Sequence, residues 1–587
     1  MRPAFSSGPR DAARPLLLLL LLLALFAPAP LTRSVVEARQ RRGEGARRAA
    51  TSNAKPSKPR LVLLIAVDQF RYDYLERFGD LFAENGLRRL LREGASWSDA
   101  NYDHVPTETA PGHATMLTGA WPSETGIIAN DWYDRAEGKR VNNVGDESAR
   151  SLGGGVNETA SSPRNLLCST LGDELKLATN NRSRVVGVSL KNRAAILPSG
   201  RMADAAYWLS AQTGEFVSST YYFERLPDWV ARFNAARPAD KFFGAKWERL
   251  LSASEYERRA GVDDAPWERG DGKLTSTFPH VMNGGLTKPG PEFYDALAYS
   301  PFTNELLLDF AEQALTNERL GEDADTDVLT VSFSANDIVG HRYGPYSQEV
   351  MDVTLRVDRQ IARLLDFVDA RVGLRNTAVV FTADHGVAPS PAHALSLRLP
   401  GAYVKVSDVL TAVRNRLRVR FAKSGGQDTT VDYVQTFSNG HIYFNRTALE
   451  RDGVQIEDAE RVAGEAALTV PGVARYFTRT QLLNGAVSQA DAVARRVLHG
   501  YNARRSGDVV LISEPFKYLA DYVATATHGT PYSYDTHVPL IIMSGGVAPG
   551  RYRAPASPAD IAPTLATLLG VQPPSSATGR VLTEALR

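Results

Sequence analysis

RLVLLIAVDQF, running from Arg60 to Phe70, is the stretch on which the fold turns. Its apolar residues follow one another without polar alternation, as in a strand buried on both faces of a parallel sheet, and Asp68 falls where the run ends. Two later stretches repeat the arrangement. TDVLTVSFSAND (Thr326–Asp337) predicts a strand that delivers Asp337 at its end, with His341 four residues on. NTAVVFTADHG (Asn376–Gly386) predicts another, ending in Asp384 and His385. Between them, Ser347–Val372 has helical spacing. Strands alternating with helices predict an α/β fold, a mostly parallel sheet sandwiched by helices, in which the C-terminal ends of the strands line the ligand crevice.

One Asp after a strand is usually a turn or a cap, and a lone His is usually structural. Asp68, Asp337, His341, Asp384 and His385 all share this kind of position, which chance explains poorly. Carboxylate and imidazole ligands without thiolate suit zinc in an open catalytic site. Two such ions about 4 Å apart could clamp the attacking and leaving oxygens of an in-line displacement at phosphorus.

Upstream, DHVPTETAPGHATMLTG (Asp103–Gly119) places Thr109 between Pro106 and Pro111 at the start of a helix closed by Gly119. Two readings fit the residues. Thr109 is the N-cap of that helix, or it is a nucleophile where unpaired amides and the helix dipole favour an anion.

The 587 residues carry 67 Lys/Arg against 66 Asp/Glu, a net of +1. Residues 1–60 hold 12 Lys/Arg and 3 Asp/Glu, a net of +9, so the remainder stands at −8, which argues against general nucleic-acid binding. Within that N-terminal part, basic residues precede the apolar run Leu16–Ala27, which is too short to span a bilayer and is followed by APAP. Residues 1–31 therefore read as a secretory signal, with an uncleaved anchor or a mistaken start as alternatives. Residues 32–60 read as a disordered basic linker. The expectation is an exported protein, periplasmic or secreted, with no stable membrane insertion after signal removal. Cys168 is the only cysteine, so such a chain folds without internal disulfides.

Taken together, VDQFRYDYL at Val67, PTETAPGHATMLTG at Pro106, GIIANDWYDR at Gly126, VSLKNRAAILPSG at Val188, the two Asp/His segments, ATHGTPYSYDTHVPLII at Ala526 and DIAPTLATLLGV at Asp560 resemble the alkaline phosphatase superfamily. The likeness is strongest to its secreted, threonine-nucleophile branch, the phosphate-irrepressible alkaline phosphatases, and covers most of residues 61–587 as one catalytic domain.

The resemblance implies hydrolysis of small-molecule phosphate monoesters through a phosphothreonine on Thr109, with two Zn2+ per chain. One ion would be held by Asp337, His341 and a downstream histidine, the other by Asp68, Asp384, His385 and Thr109. For the downstream ligand His528 in THG is favoured over His537 in THVP, since a glycine suits a tight loop at a metal and His537 opens an apolar strand. Asn130, Lys191 and Arg193 would contact the phosphoryl group.

The lysine and arginine are two apart and flanked by apolar residues, so on a strand both would point to one buried face and need an anionic partner. Two cations favour a monoester dianion over a diester. A nucleotide phosphodiesterase of the same superfamily is the alternative, and a non-catalytic exported phosphate- or metal-binding protein is another. An arylsulfatase is disfavoured by the lack of Cys or Ser in a C/S-x-P-x-R context. The stretches 208–290 and 398–518 hold none of these motifs and read as insertions forming a cap or lobe beside the crevice.

Overall fold

The computed structural model describes residues 58–156, 158–268, 274–422, 431–521 and 525–587. The expected signal segment and nearly all of the basic linker lie outside the described residues. Among the described residues no helix is long and apolar enough to cross a membrane.

Leu61–Val67 is a strand buried at every position, as its unbroken apolar run predicts. It pairs in parallel with Asp327–Phe333 on one side and Thr377–Thr382 on the other. Parallel pairing continues outward through Val185–Ser189 to Ala205–Leu209. Antiparallel strands flank these, Leu540–Met543 against Thr377–Thr382 and Phe216–Ser219 against Ala205–Leu209, and among the described residues the sheet has ten strands.

Side chains alternate across these strands, so the sheet divides its residues between two apolar layers. Leu61, Leu63, Ile65 and Val67 join one, with Leu306 and Leu364 from the helices Phe302–Asn317 and Gln348–Arg371. Val62, Leu64 and Ala66 join the other, with Met116, Leu171 and Leu565 from the helices Thr109–Thr118, Leu171–Ala178 and Ile561–Leu569. This is the helix-sandwiched, mostly parallel sheet expected.

The two motif-free stretches differ. Residues 208–290 do not form a lobe beside the crevice: Trp208 is within a strand of the main sheet and Phe216–Ser219 is the next strand. Beyond them, Val230, Phe242, Trp247, Tyr256 and Met282 pack into the apolar layer that holds Leu61 and Leu63. The described residues of this segment thus wall the main core.

Residues 398–518 contain a four-stranded antiparallel sheet, in the order Val434–Ser438, His441–Phe444, Val509–Ser513, Val473–Thr478. The helices Val406–Phe421 and Ile456–Ala467 cover it over an apolar cluster of its own that includes Val409, Val413, Val462 and Leu511. The chain enters and leaves this lobe through a parallel pair, Ala402–Val404 with Lys517–Leu519.

Candidate active site

The C-terminal ends of the parallel strands gather the acidic and histidine residues. Asp68 follows Leu61–Val67 directly, and Asp384 and His385 follow Thr377–Thr382 after one residue. Asp337 is delivered differently from expectation. Its strand stops at Phe333, and Asp337 sits in the first turn of the helix Ala335–Tyr343, so Asp337 and His341 lie one turn apart on the same helix face. His341 Nε2 is 3.1 Å from Asp337 Oδ1.

His528 joins them on the loop after the lobe. Its Nε2 is 3.7 Å from Asp337 Oδ1, and its ring stacks on His385 at 3.6 Å between centroids. His385 Nε2 in turn is 3.5 Å from Asp384 Oδ2 and 3.6 Å from Asp68 Oδ1. His537 lies elsewhere, stacked on Tyr72 with its Nε2 3.1 Å from the carbonyl oxygen of Ser98.

The hydrogen bonds of the three histidines decide what the cluster can hold. His341 Nδ1 is 2.8 Å from the Ala526 carbonyl, His385 Nδ1 is 2.9 Å from that of Gly386, and His528 Nδ1 is 2.7 Å from that of Thr107. A carbonyl oxygen only accepts, so each Nδ1 carries its proton and a neutral ring presents the Nε2 lone pair. At His385 and His528 those lone pairs face carboxylate oxygens, an arrangement that repels unless a cation stands between. At His341, by contrast, burial is outweighed by Asp337, which raises the ring and favours a proton on the Nε2 that faces it.

Burial, with the His385 and His341 rings beside it, holds the His528 imidazole well below its usual range, so it is neutral. Burial likewise lowers His385. Asp68 Oδ1, Asp384 Oδ2 and His385 Nε2 are buried without a hydrogen-bond partner. Asp337, His385 and His528 form one group whose ligand atoms lie within 4.8 Å of one another, and Asp68, Asp384 and His385 form a second. Both groups draw on His385 and neither includes His341; the residues fit divalent-cation binding, with imidazoles oriented from behind by main-chain carbonyls as metal-binding histidines are.

Charge points the same way. Asp68, Asp337 and Asp384 are all at most 3% exposed. Burial and the charges of Asp337 and Asp384 push the Asp68 carboxyl well above its usual range. Lys191 is the cation that reaches them: its Nζ is 2.7 Å from Asp68 Oδ2 and also bonds Asp337 Oδ2. Lys191 and Arg193 are not on a strand. The strand ends at Ser189, Lys191 occupies the N-cap position of the short helix Asn192–Ile196, and Arg193 is in its first turn. Arg193 Nε is buried without a partner.

Thr109 is the first residue of its helix rather than the cap. Glu108 holds the N-cap position, and no side-chain cap bond is made. Thr109 is 1% exposed. Glu108 instead accepts the Asn130 main-chain N–H at 2.7 Å, and Asn130 Oδ1 accepts that of Ala110 at 3.0 Å. With its oxygen engaged at the helix N-terminus, the Asn130 amide is left to donate through Nδ2. The helix lies hard against the metal-ligand candidates, since a Cβ built at Gly112 would stand 2.8 Å from Asp384 Cβ.

The lobe holds the chain that leads into Thr109. Arg495, on the helix Ala492–Gly500, makes paired bonds of 2.7 and 3.0 Å to Asp103. The Val105 N–H donates to the Arg496 carbonyl, and His499 Nδ1 donates to that of Asp103.

Two residues here carried no role in the sequence reading. His113 Nδ1 donates to the Thr109 carbonyl at 2.9 Å and lies 3.2 Å from Asp384 Oδ2, and His113 Nε2 meets Ser332 Oγ at 2.7 Å. Gln69 contacts two of the carboxylates. Both sit inside the motifs already noted, one after Asp68 and four after Thr109, and that adjacency was the available signal.

Comparison with known proteins decides the lineage. The family model described as type I phosphodiesterase / nucleotide pyrophosphatase matches residues 62–535. The chain belongs to that family, within the alkaline phosphatase superfamily. Among superfamily members, the alkaline phosphatase PafA of Elizabethkingia meningoseptica is 37% identical over 541 residues, 92% of this chain and 96% of that protein. A Myroides odoratus protein named as a calcium-transporting ATPase is 36% identical over 542 residues, 92% of this chain and 96% of its own. The crystal structure of wild-type PafA superposes with a TM-score of 0.83 at 35% identity, covering 91% of this chain and all of the other. The superfamily fold therefore extends over nearly all of the described chain.

Proposed function

We propose that the protein is an exported, zinc-dependent alkaline phosphatase that hydrolyses phosphate monoesters through a phosphothreonine on Thr109. The observation that carries this reading is the cluster of Asp68, Asp337 and Asp384 with His341, His385 and His528, in which Asp68 Oδ1, Asp384 Oδ2 and His385 Nε2 are buried without a partner. The relatives named as alkaline phosphatases, which match over most of the chain, support a phosphoric monoester hydrolase.

In this reading Asp337, His341 and His528 hold one zinc ion and Asp68, Asp384 and His385 the other, with Thr109 as a further ligand of the second. Bound there, the two ions supply the positive charge that activates a hydroxyl at neutral pH and stabilises attacking and leaving oxygens. Thr109 Oγ1, in the first turn of its helix, is the attacking oxygen. It forms a bond to phosphorus as the bond to the ester oxygen breaks and the alcohol departs. Water then opens the phosphothreonine, restoring the hydroxyl and releasing inorganic phosphate. Asn130 donates through Nδ2 to a non-bridging oxygen, and Arg193 offers paired planar donors beside the point charge of Lys191. His113, bonded to the Thr109 carbonyl, keeps the first helical turn in register with Asp384.

A second reading, a nucleotide phosphodiesterase, is favoured by the description of the matching family model. Two cations at the phosphoryl position favour a dianionic monoester over it. The test of the nucleophile is a pair of variants. Thr109→Ala should lose several orders of magnitude in kcat while remaining folded and zinc-loaded, and Thr109→Ser should keep much of the rate. An alanine variant that turns over near the wild-type rate removes the role.

A further inference from the structure

Gln69 stands immediately after Asp68, is 2% exposed, and has φ +64°, a left-handed conformation uncommon for a residue with a side chain. Strain of this sort persists where the surroundings hold it in place, so what holds Gln69 is informative. Its main-chain N–H donates to Asp384 Oδ1 at 3.1 Å. Its side-chain Nε2 donates to Asp337 Oδ1 at 2.6 Å. The two carboxylates belong to different metal-ligand groups. One residue thus ties both, through its backbone to one and its amide to the other.

The helix that carries Asp337 and His341 is shaped to receive that amide. Gly340 lies between the two ligands in sequence, and a Cβ built on it would overlap Gln69 Oε1 and stand 3.0 Å from Gln69 Cδ. Glycine here leaves room for the amide, whose Nε2 reaches Asp337. Asp337 Oδ1 is also the oxygen that faces His341 Nε2 at 3.1 Å and His528 Nε2 at 3.7 Å. Its direction is therefore set by the Gln69 amide on one side and Lys191, on Oδ2, on the other.

We infer that Gln69 is a positioning residue that orients Asp337 for metal binding and locks the Asp337 group to the Asp384 group. The inference rests on the two-zinc reading. Outer-shell hydrogen bonds of this type typically change metal affinity by about 10- to 100-fold when removed. The amide bond falls on the Asp337 group alone, whereas the main-chain bond to Asp384 survives any change of side chain. Loss of the side chain should therefore weaken one position and spare the other.

The experiment is a zinc titration of the chelator-stripped full chain against a competing indicator, with bound metal counted by mass spectrometry. Gln69→Met keeps length and loses the donor. Gln69→Gly removes the side chain and eases the positive φ, so it folds even if the methionine variant does not. In both, one zinc should bind about 10- to 100-fold more weakly and the other within about twofold of wild type. Turnover lost at low zinc should return as zinc is raised. Affinities within twofold of wild type at both positions overturn the inference, as does equal weakening of both. A wild-type chain that takes up no zinc sinks the two-metal reading itself, and the inference with it.

Discussion

Gly500→Ala tests whether the lobe sets the position of Thr109. Gly500 ends the helix Ala492–Gly500, and its φ is outside the left-handed region, so alanine is not excluded by its own backbone. What alanine meets is the chain before Thr109: a Cβ at this position would stand 2.9 Å from the carbonyl carbon of Val105 and overlap its oxygen. Carbon atoms in contact sit about 3.5 Å apart, so the two segments must separate by at least roughly 0.6 Å, and by more than about 1 Å once the oxygen is cleared.

Val105 is four residues from Thr109, and Asp103 and Val105 are both bonded to this same helix, so the displacement has little slack to absorb it. A misplacement near 1 Å can cost about 100-fold in rate, and overpacking of this kind about 1–3 kcal/mol in stability. We expect kcat to fall about 10- to 100-fold at saturating substrate and zinc, with a modest loss in urea denaturation. Gly79→Ala is the matched control, since a Cβ there meets nothing within 4 Å. If Gly500→Ala loses stability and keeps kcat within about twofold of wild type, the helix rather than the Asp103–Thr109 segment gives way, and the reasoning fails.

A strong chelator should abolish turnover and added zinc should restore it, with about two zinc ions per chain by mass spectrometry; full activity in metal-free protein would contradict the site. Replacing both Lys191 and Arg193 with Ala should lower kcat/KM for an aryl monoester by orders of magnitude and for the matched diester far less, at about 2–4 kcal/mol per lost contact. Equal losses would assign the pair to the fold and favour the phosphodiesterase reading.

Asp103 supplies a pH prediction. Burial alone would raise its carboxyl, but bonds from His499 and Arg495 outweigh it and hold it at about 2. A carboxyl depressed in the folded state stabilises above its unfolded pKa of about 4 and loses that contribution as pH falls toward 2. After discounting for solvent screening, the stability gap between wild type and Asp103→Asn should be about 1 kcal/mol at pH 6. Urea denaturation in chelator should show this gap closing by pH 2, and a gap independent of pH would refute the assignment.

The parallel core was legible in Arg60–Phe70 because a strand buried on both faces has no polar alternation to obscure it. The residues that gather at the strand ends were legible for a related reason: strand ends are fixed points of such a sheet, so Asp68, Asp384 and His385 could be placed from their distance to an apolar run. Where one more element intervenes, the reading slipped. Asp337 comes after its strand on a new helix and Lys191 at the N-cap of one, and no property of SFSAND or VSLKNR marks the turn between strand and helix. Thr109 at a helix start has the residue type of a cap, yet the neighbouring glutamate takes that position. The stretch 208–290 misled by its lack of motifs, since a wall of the core needs bulk and spacing rather than chemistry. Gln69 was invisible because its role lies in a φ value and two bonds across roughly 300 residues of sequence.

The lobe's parallel doorway, Ala402–Val404 beside Lys517–Leu519, has a consequence for how such enzymes diverge. Because the chain departs and returns at neighbouring points, whole lobes can be exchanged between relatives as cassettes without rethreading the main sheet. The exchange is not free of conditions. A transplanted lobe must present a small residue where Gly500 meets Val105 and a guanidinium where Arg495 meets Asp103, or it will arrive folded and leave the threonine out of register. The body of the lobe can therefore vary while its two docking positions are held fixed by the threonine they place.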